Sequence, residues 1–288
     1  MPELPEVEIV RRGVDEHVVG TNVTSVQVRR RDVILGVDSR SPREVQRALL
    51  RSDVVERTDR RGKYLALIGR SGRAVIVHLG MTGSLRVLTQ PPDPDERHVH
   101  VVWKLSREGE TKYLAFRDPR RFGFIRACAS IDELEHSLEH LGPDALDISA
   151  AQLRAAFHGR KAPVKAALLN QRLLAGVGNI YADEALHRAR IHPALPCGQL
   201  QAEELTQLAA AIRQVLRMSL DRGGSSIRDY RNPSGRPGRF QQRHRVYGRG
   251  GKSCPGCRGV LEMARIAQRT TTFCPQCQPI RGSRYLMK

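Results

Sequence analysis

Six residues stand out for chemistry by type and spacing. Four are cysteines, in the run Cys254-x2-Cys257-x16-Cys274-x2-Cys277. Each CxxC turn aims two thiolates at one point, and two such turns complete a tetrahedron, the pattern of a structural zinc site. Four sulfurs leave no coordination position open for water, so the expected single Zn2+ folds the segment and does not catalyse. Two disulfides are the rival reading, which a reducing cytosol disfavours. A segment of about 40 residues with few large apolar side chains also needs the metal in order to fold. Cys128 and Cys197 stand alone and read as inert thiols. The other two residues are Pro2 and Glu3, in the start Met1-Pro2-Glu3-Leu4-Pro5-Glu6. Removal of Met1 exposes a secondary amine on Pro2. An α-amino group has a pKa of ~7.7–8.0 against ~10.4 for lysine, so roughly a tenth of it is unprotonated at pH 7. Such an amine attacks a carbon electrophile and leaves a cationic iminium, with Glu3 beside it to carry protons. On residue types alone, a plain first helical turn explains the same residues.

Charge points to the partner. The 288 residues carry a net charge of +18, placed unevenly. Residues 1–150 hold 24 Lys+Arg and 23 Asp+Glu, whereas residues 151–288 hold 24 and seven. A neutral half joined to a strongly cationic one implies a polyanion, and nucleic acid is the default. A hydrophobic content of 40% and a charged content of 27% exclude a wholly disordered chain. No run approaches the ~20 apolar residues of a membrane span. The first residues lack the basic and apolar regions of a secretory signal, so the expectation is a cytoplasmic protein with no membrane partner.

The elements that must position these residues fall into three regions. Residues 1–10 read as a helix start, with Pro and Glu in its first turn. Strand-like runs recur through 22–127, at 23–28, 64–68, 74–77, 98–103 and 122–125, separated by Gly-rich or charged turns. This pattern predicts an antiparallel sandwich, interrupted by the Pro/Asp-rich loop 90–95. Helical periodicity takes over at about 131, with candidates at 131–140, 149–158, 163–172, 180–188 and 202–220. Residues 222–252 hold nine Lys/Arg and one acid with no apolar period, and read as a long basic loop leading into the cysteine segment.

Five stretches together resemble one family. MPELPEVE, Asp59-Arg60-Arg61-Gly62-Lys63-Tyr64-Leu65, His78-Leu79-Gly80-Met81-Thr82-Gly83-Ser84-Leu85-Arg86 with Asp118-Pro119-Arg120-Arg121-Phe122-Gly123, Gly176-Val177-Gly178-Asn179-Ile180-Tyr181-Ala182-Asp183-Glu184, and Gln268-Arg269-Thr270-Thr271 before Cys274 occur in order along nearly the whole chain. They resemble the formamidopyrimidine-DNA glycosylases, bacterial repair enzymes for oxidised purines. The resemblance implies an α+β multidomain fold. Its parts are an N-terminal β-sandwich with an N-terminal helix (1–130), a helix–two-turn–helix domain with a lesion-capping loop (131–243) and a C-terminal zinc-finger β-hairpin (244–288).

It also implies roles. Pro2 would attack C1′ of the damaged nucleotide, Glu3 would carry protons at the sugar, and Glu6 would line the lesion pocket. Lys63 would donate the proton for β-elimination and Arg269 would serve δ-elimination. A base inside a duplex has to be everted before chemistry, and Met81, Arg120 and Phe122 match the family's intercalating set. His98, Arg121, Arg160, Lys161, Lys165 and Asn179 fall where the family contacts DNA. Arg160 departs from the lysine expected there, though both side chains bind phosphate. Asn179, after Gly176 and Gly178, reads as a helix cap over a phosphate seat. The loop 225–242 aligns with the lesion-capping loop but has an individual sequence. The implied function is a monomeric base-excision glycosylase and AP lyase in the bacterial cytoplasm, acting at the nucleoid on double-stranded DNA with oxidised bases such as 8-oxoguanine. A sister enzyme for oxidised pyrimidines and a catalytically silent damage-binding paralogue are the alternatives. Leu4-Pro5-Glu6-Val7-Glu8 fits the purine enzyme better, and Pro2, Glu3 and Lys63 are all present.

Overall fold

The computed structural model describes residues 2–226 and 235–280. The chain divides into two units, residues 1–140 with 222–239 and residues 141–221 with 240–288. In the first unit, Val7, Val10, Val14 and Val18 recur at helical spacing and are all buried. That stripe makes Leu4–Val18 (α1) a helix although valine is a poor helix former, because burial outweighs local propensity. Pro5 sits in the first turn, where no N–H is required.

Two sheets pack against each other. One has the order β1-β7-β8-β6, from Asn22–Val28 (β1), Ser84–Leu88 (β6), Val99–Arg107 (β7) and Glu110–Arg117 (β8). The other has the order β2-β9-β5-β4-β3, from Ile34–Leu35 (β2), Val55–Arg61 (β3), Tyr64–Gly69 (β4), Ala74–His78 (β5) and Phe124–Cys128 (β9). Pairing is antiparallel except between β2 and β9, so the predicted sandwich carries one parallel edge. Leu65, Leu67, Val75 and Val77 of one sheet share a buried core with Trp103, Leu114 and Phe116 of the other and with the α1 valines. Two of the connecting turns are tight. Glu108 and Gly109 join β7 to β8 with φ +51° and +86°. Gly62 (φ +56°) and Lys63 join β3 to β4, so Lys63 stands at the tip of a tight hairpin.

The sequence pattern missed β3, whose residues are mostly charged because it is an edge strand with one wet face. It also missed Pro42–Ala48 (α2), β2, β6 and β8. The helix Ile131–Leu138 (α3) packs on β5 and β9, so the first unit extends to residue 140 and not 130. Residues 222–239 also belong to the first unit, and the cysteine segment clusters with the helices instead of standing apart.

The second unit contains Ala150–Phe157 (α4), Val164–Leu169 (α5), Asn179–Arg188 (α6) and Ala202–Leu220 (α7), then the hairpin Glu262–Ile266 (β10) and Arg269–Phe273 (β11). Ser149 begins α4 with a reciprocal pair: its Oγ accepts from Gln152 N at 3.2 Å and its N–H donates to Gln152 Oε1 at 2.9 Å. Helix α6 is buried from Ile180 to His187 and packs on α5, α7 and β11. The sandwich core predicts that Leu67→Ala costs about 2–5 kcal/mol. Chemical denaturation measures this, and a loss under ~1 kcal/mol would show that the two sheets do not share a packed interior.

Candidate active site and nucleic-acid interface

In the first unit, Pro2, Glu3 and Glu6 are all buried at the start of α1. The Glu6 carboxylate accepts from Glu3 N at 2.9 Å and from Ser225 N at 2.8 Å. Glu6 therefore fastens the first turn of the helix to the returning segment 222–226, beyond the pocket-lining part read from the sequence. Of the loop 225–242, residues 227–234 lie outside the described residues.

Glu8, part of the N-terminal motif but given no role from the sequence, organises this region. Its carboxylate accepts from Arg11 Nη2 (2.9 Å) and Nε (3.0 Å), Arg12 Nε (2.8 Å) and Arg60 Nε (3.1 Å). Arg60 Nη1 in turn donates to the Gly62 carbonyl at 3.0 Å. A chain of charge-assisted bonds thus runs from α1 to the turn that presents Lys63, itself only 7% exposed. Burial works against ionisation of Glu8, but the bonds from Arg11 and Arg12 and the charge of Arg60 outweigh it and hold the carboxyl at about 2. Near Lys63, His78 packs in a triangle of rings with Tyr64 and Phe124, at centroid separations of 4.8 and 5.2 Å. Burial first, then the charge of Lys63, pushes His78 down to about 4, so it is neutral at pH 7.

The expected intercalating residues sit in two adjoining loops. Met81 and Phe122 are 40% and 54% exposed, and the Arg120 guanidinium lies 4.7 Å over the Phe122 ring. Arg121, with φ +54°, is exposed and pairs with Asp32 at 2.8 Å. His98 is half-buried, and its carbonyl accepts from Asp118 N at 3.0 Å. A cavity of about 170 Å³ between β3, β4 and α3, lined by Arg57, Tyr64, Ile131 and Leu138 among others, contains none of the residues read as catalytic.

In the second unit, Arg160 and Lys161 are exposed. Lys165 is not: it is fully buried, 2.6 Å from Asp183, and donates to the Thr270 carbonyl (3.1 Å) and Thr271 Oγ1 (2.8 Å). The expectation that Lys165 contacts DNA is corrected accordingly. No face of its ammonium meets solvent, and the side chain braces the hairpin from inside. Burial raises Asp183 to about 6 against the pull of Lys165. Asn179 is likewise not the cap, because Gly178 takes that position. Asn179 Nδ2 instead donates to the Thr270 carbonyl at 3.1 Å. The loop before it is shaped by Gln171, which accepts from Gly176 N (2.8 Å) and donates to the Val177 carbonyl (2.8 Å). Arg269 is exposed and follows Ala267 and Gln268, both at positive φ, in the hairpin turn. Glu184 accepts from the N–H groups of Arg245, Val246 and Tyr247, all within 3.0 Å.

The sulfurs of Cys254, Cys257, Cys274 and Cys277 lie within 4.8 Å of one another. Tetrahedral zinc with Zn–S of about 2.3 Å needs S···S separations of roughly 3.8 Å. The pairs Cys254–Cys277 and Cys257–Cys274, at 3.9 and 3.4 Å, bracket that value. Donors also reach the sulfurs: Gly256 N and His187 Nε2 each lie 3.4 Å from Cys254 Sγ, and Cys277 N lies 3.4 Å from Cys274 Sγ. N–H groups aimed at sulfur suit thiolates, so the residues fit one structural Zn2+.

Comparison with known proteins agrees with this arrangement. Residues 1–125 match the family model of the formamidopyrimidine-DNA glycosylase N-terminal domain, residues 141–231 that of its H2TH domain, and residues 251–280 the zinc finger found in FPG and IleRS. Formamidopyrimidine-DNA glycosylase of Shewanella oneidensis is 40% identical over 97% of this chain and all of that one. The crystal structure of the MutM (FPG) protein from Thermus thermophilus is 40% identical with a TM-score of 0.82, covering 98% of this chain and all of that one. A Lactococcus lactis FPG mutant in complex with Fapy-dG-containing DNA has a TM-score of 0.86 at 32% identity, covering 97% of this chain and all of that one.

Two outcomes test the site. The Glu8 carboxyl is lowered on folding, so its stabilisation is present above pH ~4.5 and lost as the pH falls towards about 2. Glu8→Gln is expected to cost about 2 kcal/mol at neutral pH and to flatten the acid limb of stability in that window. Denaturation curves at a series of pH values measure this, and parallel pH profiles for the two proteins would remove the brace. Stripping zinc with a chelator is expected to unfold the cysteine segment while leaving the sandwich folded. Circular dichroism with thiol titration reads this out, and unchanged spectra in verified metal-free protein would refute it.

Proposed function

The chain belongs to the formamidopyrimidine-DNA glycosylase family, and from that premise we propose that it removes oxidised purines from duplex DNA with Pro2 as nucleophile. It is a base-excision repair DNA glycosylase with AP lyase activity. The observation that carries the residue assignment is the Glu8–Arg60–Gly62 chain, which ties the helix beginning beside Pro2 to the turn holding Lys63.

The chemistry follows from those groups. With Met1 removed, the Pro2 nitrogen lone pair attacks C1′ of the everted nucleotide. The bond from C1′ to the base breaks with its electron pair on the base, which takes up a proton. The sugar ring opens as its oxygen leaves C1′ and accepts a proton from Glu3, giving an iminium between Pro2 and the sugar. That cation acidifies C2′–H, and loss of this proton expels the 3′ phosphate. Loss of a second proton, from C4′, expels the 5′ phosphate through the conjugated system, and water then hydrolyses the iminium, freeing Pro2 and the sugar remnant and leaving a one-nucleotide gap with phosphates at both ends. Lys63, buried at the hairpin turn near a neutral His78, carries the proton of the first elimination. Arg269, exposed at the hairpin tip, serves the second.

Met81, Arg120 and Phe122 fill the space left by the everted base, while His98, Arg121, Arg160, Lys161 and the Asn179 turn hold the backbone. Zinc, when bound, supplies the fold of the hairpin carrying Arg269 and no chemistry at the sugar. The net charge of +17 in residues 151–288 suits a monomer on nucleoid DNA in the cytoplasm.

Borohydride trapping on a duplex with 8-oxoguanine opposite cytosine tests the proposal. A covalent adduct mapping to Pro2 is expected, and an uncleaved N-terminal extension should abolish it. Failure to trap despite tight binding, with trapping on an oxidised pyrimidine instead, would reassign the substrate. An adduct mapping elsewhere would reassign the nucleophile.

A further inference from the structure

Met81 and Phe122 stand out from the surface on two segments nearly 40 residues apart in sequence, with little packing of their own. Prising a base step apart costs a few kcal/mol, so a wedge that folds back on contact performs no work. What stiffens these segments is visible beneath them. Asp118 is fully buried. Its Oδ1 accepts from Thr82 Oγ1 at 2.6 Å and from Arg120 N at 3.3 Å, and its Oδ2 accepts from Gly123 N at 2.7 Å. Arg120 N also points at Thr82 Oγ1, at 3.3 Å. One carboxylate therefore bridges the Met81 loop and both sides of the Arg120–Phe122 loop. The backbone of Asp118 is pinned as well, through His98 O to its N–H (3.0 Å) and His100 Nε2 to its carbonyl (2.8 Å). Below it, β6 and β8 pair Ser84 with Arg117. The loop backbones touch directly: a Cβ on Gly80 would lie 2.4 Å from Phe122 C and Gly123 N.

We propose that Asp118 is a positioning residue that clasps the Met81 and Arg120–Phe122 segments into one rigid wedge, so that eversion of the damaged nucleotide depends on a carboxylate that never touches DNA. The inference rests on the intercalating role of Met81, Arg120 and Phe122 in the proposed function. Charge-assisted bonds to a buried carboxylate are the strongest local ties available, and each of these three ends on a wedge-bearing segment. Truncation leaves the Thr82 hydroxyl and the Gly123 N–H without their acceptor, and Arg120 N with Thr82 Oγ1 alone. Asn keeps one oxygen for Gly123 N and can still meet Thr82, whose hydroxyl accepts as well as donates, but it sets an amide N–H against Arg120 N. The order of damage is therefore Asp118→Ala, then Asp118→Asn, while Thr82→Val loses its bond to the carboxylate and one of the two acceptors facing Arg120 N.

The experiment uses the zinc-loaded full chain and a duplex with 8-oxoguanine beside 2-aminopurine, whose fluorescence rises on unstacking. Eversion is followed by stopped flow. Lesion cutting in the duplex is compared with cleavage of an abasic site in a single strand, which needs no eversion. Asp118→Ala is expected to slow eversion about tenfold and to lower the duplex-to-single-strand ratio by a similar factor, with Asp118→Asn intermediate and Thr82→Val losing a few-fold. Met81→Ala serves as the wedge control. An unchanged eversion rate in Asp118→Ala, while Met81→Ala is slow, overturns the clasp. An equal fall of both activities also overturns it, because the carboxylate would then support the unit in general. An unchanged rate in Met81→Ala overturns the wedge reading beneath it. Should Asp118→Ala fail to fold, Thr82→Val, which keeps the carboxylate, decides the matter by the same readouts.

Discussion

Glu8 collects three guanidiniums, from Arg11, Arg12 and Arg60, and through Arg60 it reaches the Gly62 carbonyl. The first helix and the turn holding Lys63 are thereby joined by charge at one end and by the shared valine–leucine core at the other. Hydrophobic contact alone would leave the helix free to slide, because apolar burial has no directional preference. Of the four hydrogen bonds to this carboxylate, those from Arg11 and Arg12 lie within the helix, and the one from Arg60 ties the helix to β3 and removes that freedom. The nucleophile proposed at Pro2 would sit where chains normally fray, so its first turn would need ties of this kind. Glu6, accepting from Glu3 N and Ser225 N, supplies a second.

The same device recurs wherever a loop must hold its shape. Asp118 accepts from Gly123 N and Arg120 N, Glu184 from three successive N–H groups at 245–247, and Asp183 from Thr272 N. Each is a buried carboxylate that answers backbone N–H groups: Glu184 and Asp183 those of another segment, Asp118 those of its own loop while the Thr82 hydroxyl ties it to the other. Loops cannot satisfy their own amides as helices and strands do, and an unpaired buried amide costs about 1–3 kcal/mol. A carboxylate answers several at once and fixes where they point. Lys165 plays the converse part, its ammonium donating to Thr270 O and Thr271 Oγ1 while Asp183 balances its charge.

These devices explain what could be read from the residues and what could not. The zinc ligands were legible because tetrahedral sulfur geometry dictates a spacing. Met81, Phe122 and Arg269 are exposed on loops and a hairpin turn, as their Gly- and turn-rich surroundings imply. The helices from 131 onwards were legible because each buries an apolar stripe. Strand β3 was not, since a charged edge strand shows no alternation, and α3 was assigned to the wrong unit because periodicity does not say which surface a stripe covers. The roles of Glu8, Arg60 and Asp118, though their motifs were visible, and of Gln171 were not legible for a different reason. A side chain that serves the backbone of a distant segment has no spacing rule, because its partner is an amide that every residue possesses.

Lys165 shows where type-based reading of charge breaks down. Counted with its neighbours, it is one more cation in a half-chain of net +17, and nothing in its type separates it from Lys161. Its position does: Lys165 falls within α5 on the same side as Val164 and Leu168, both fully buried, whereas Lys161 precedes the helix and is exposed. A lysine on an apolar helical face must either neutralise or find an anion, and here Asp183, one turn into α6, provides it. Burying such a pair seldom adds stability over an apolar pair of the same volume, whereas its geometry is exacting. What it secures is direction, because the ammonium can reach Thr270 O, Thr271 Oγ1 and Asp183 together only if β11 lies in one register against α5 and α6. The strand so fixed begins at Arg269, which makes the buried lysine a determinant of where the exposed arginine stands.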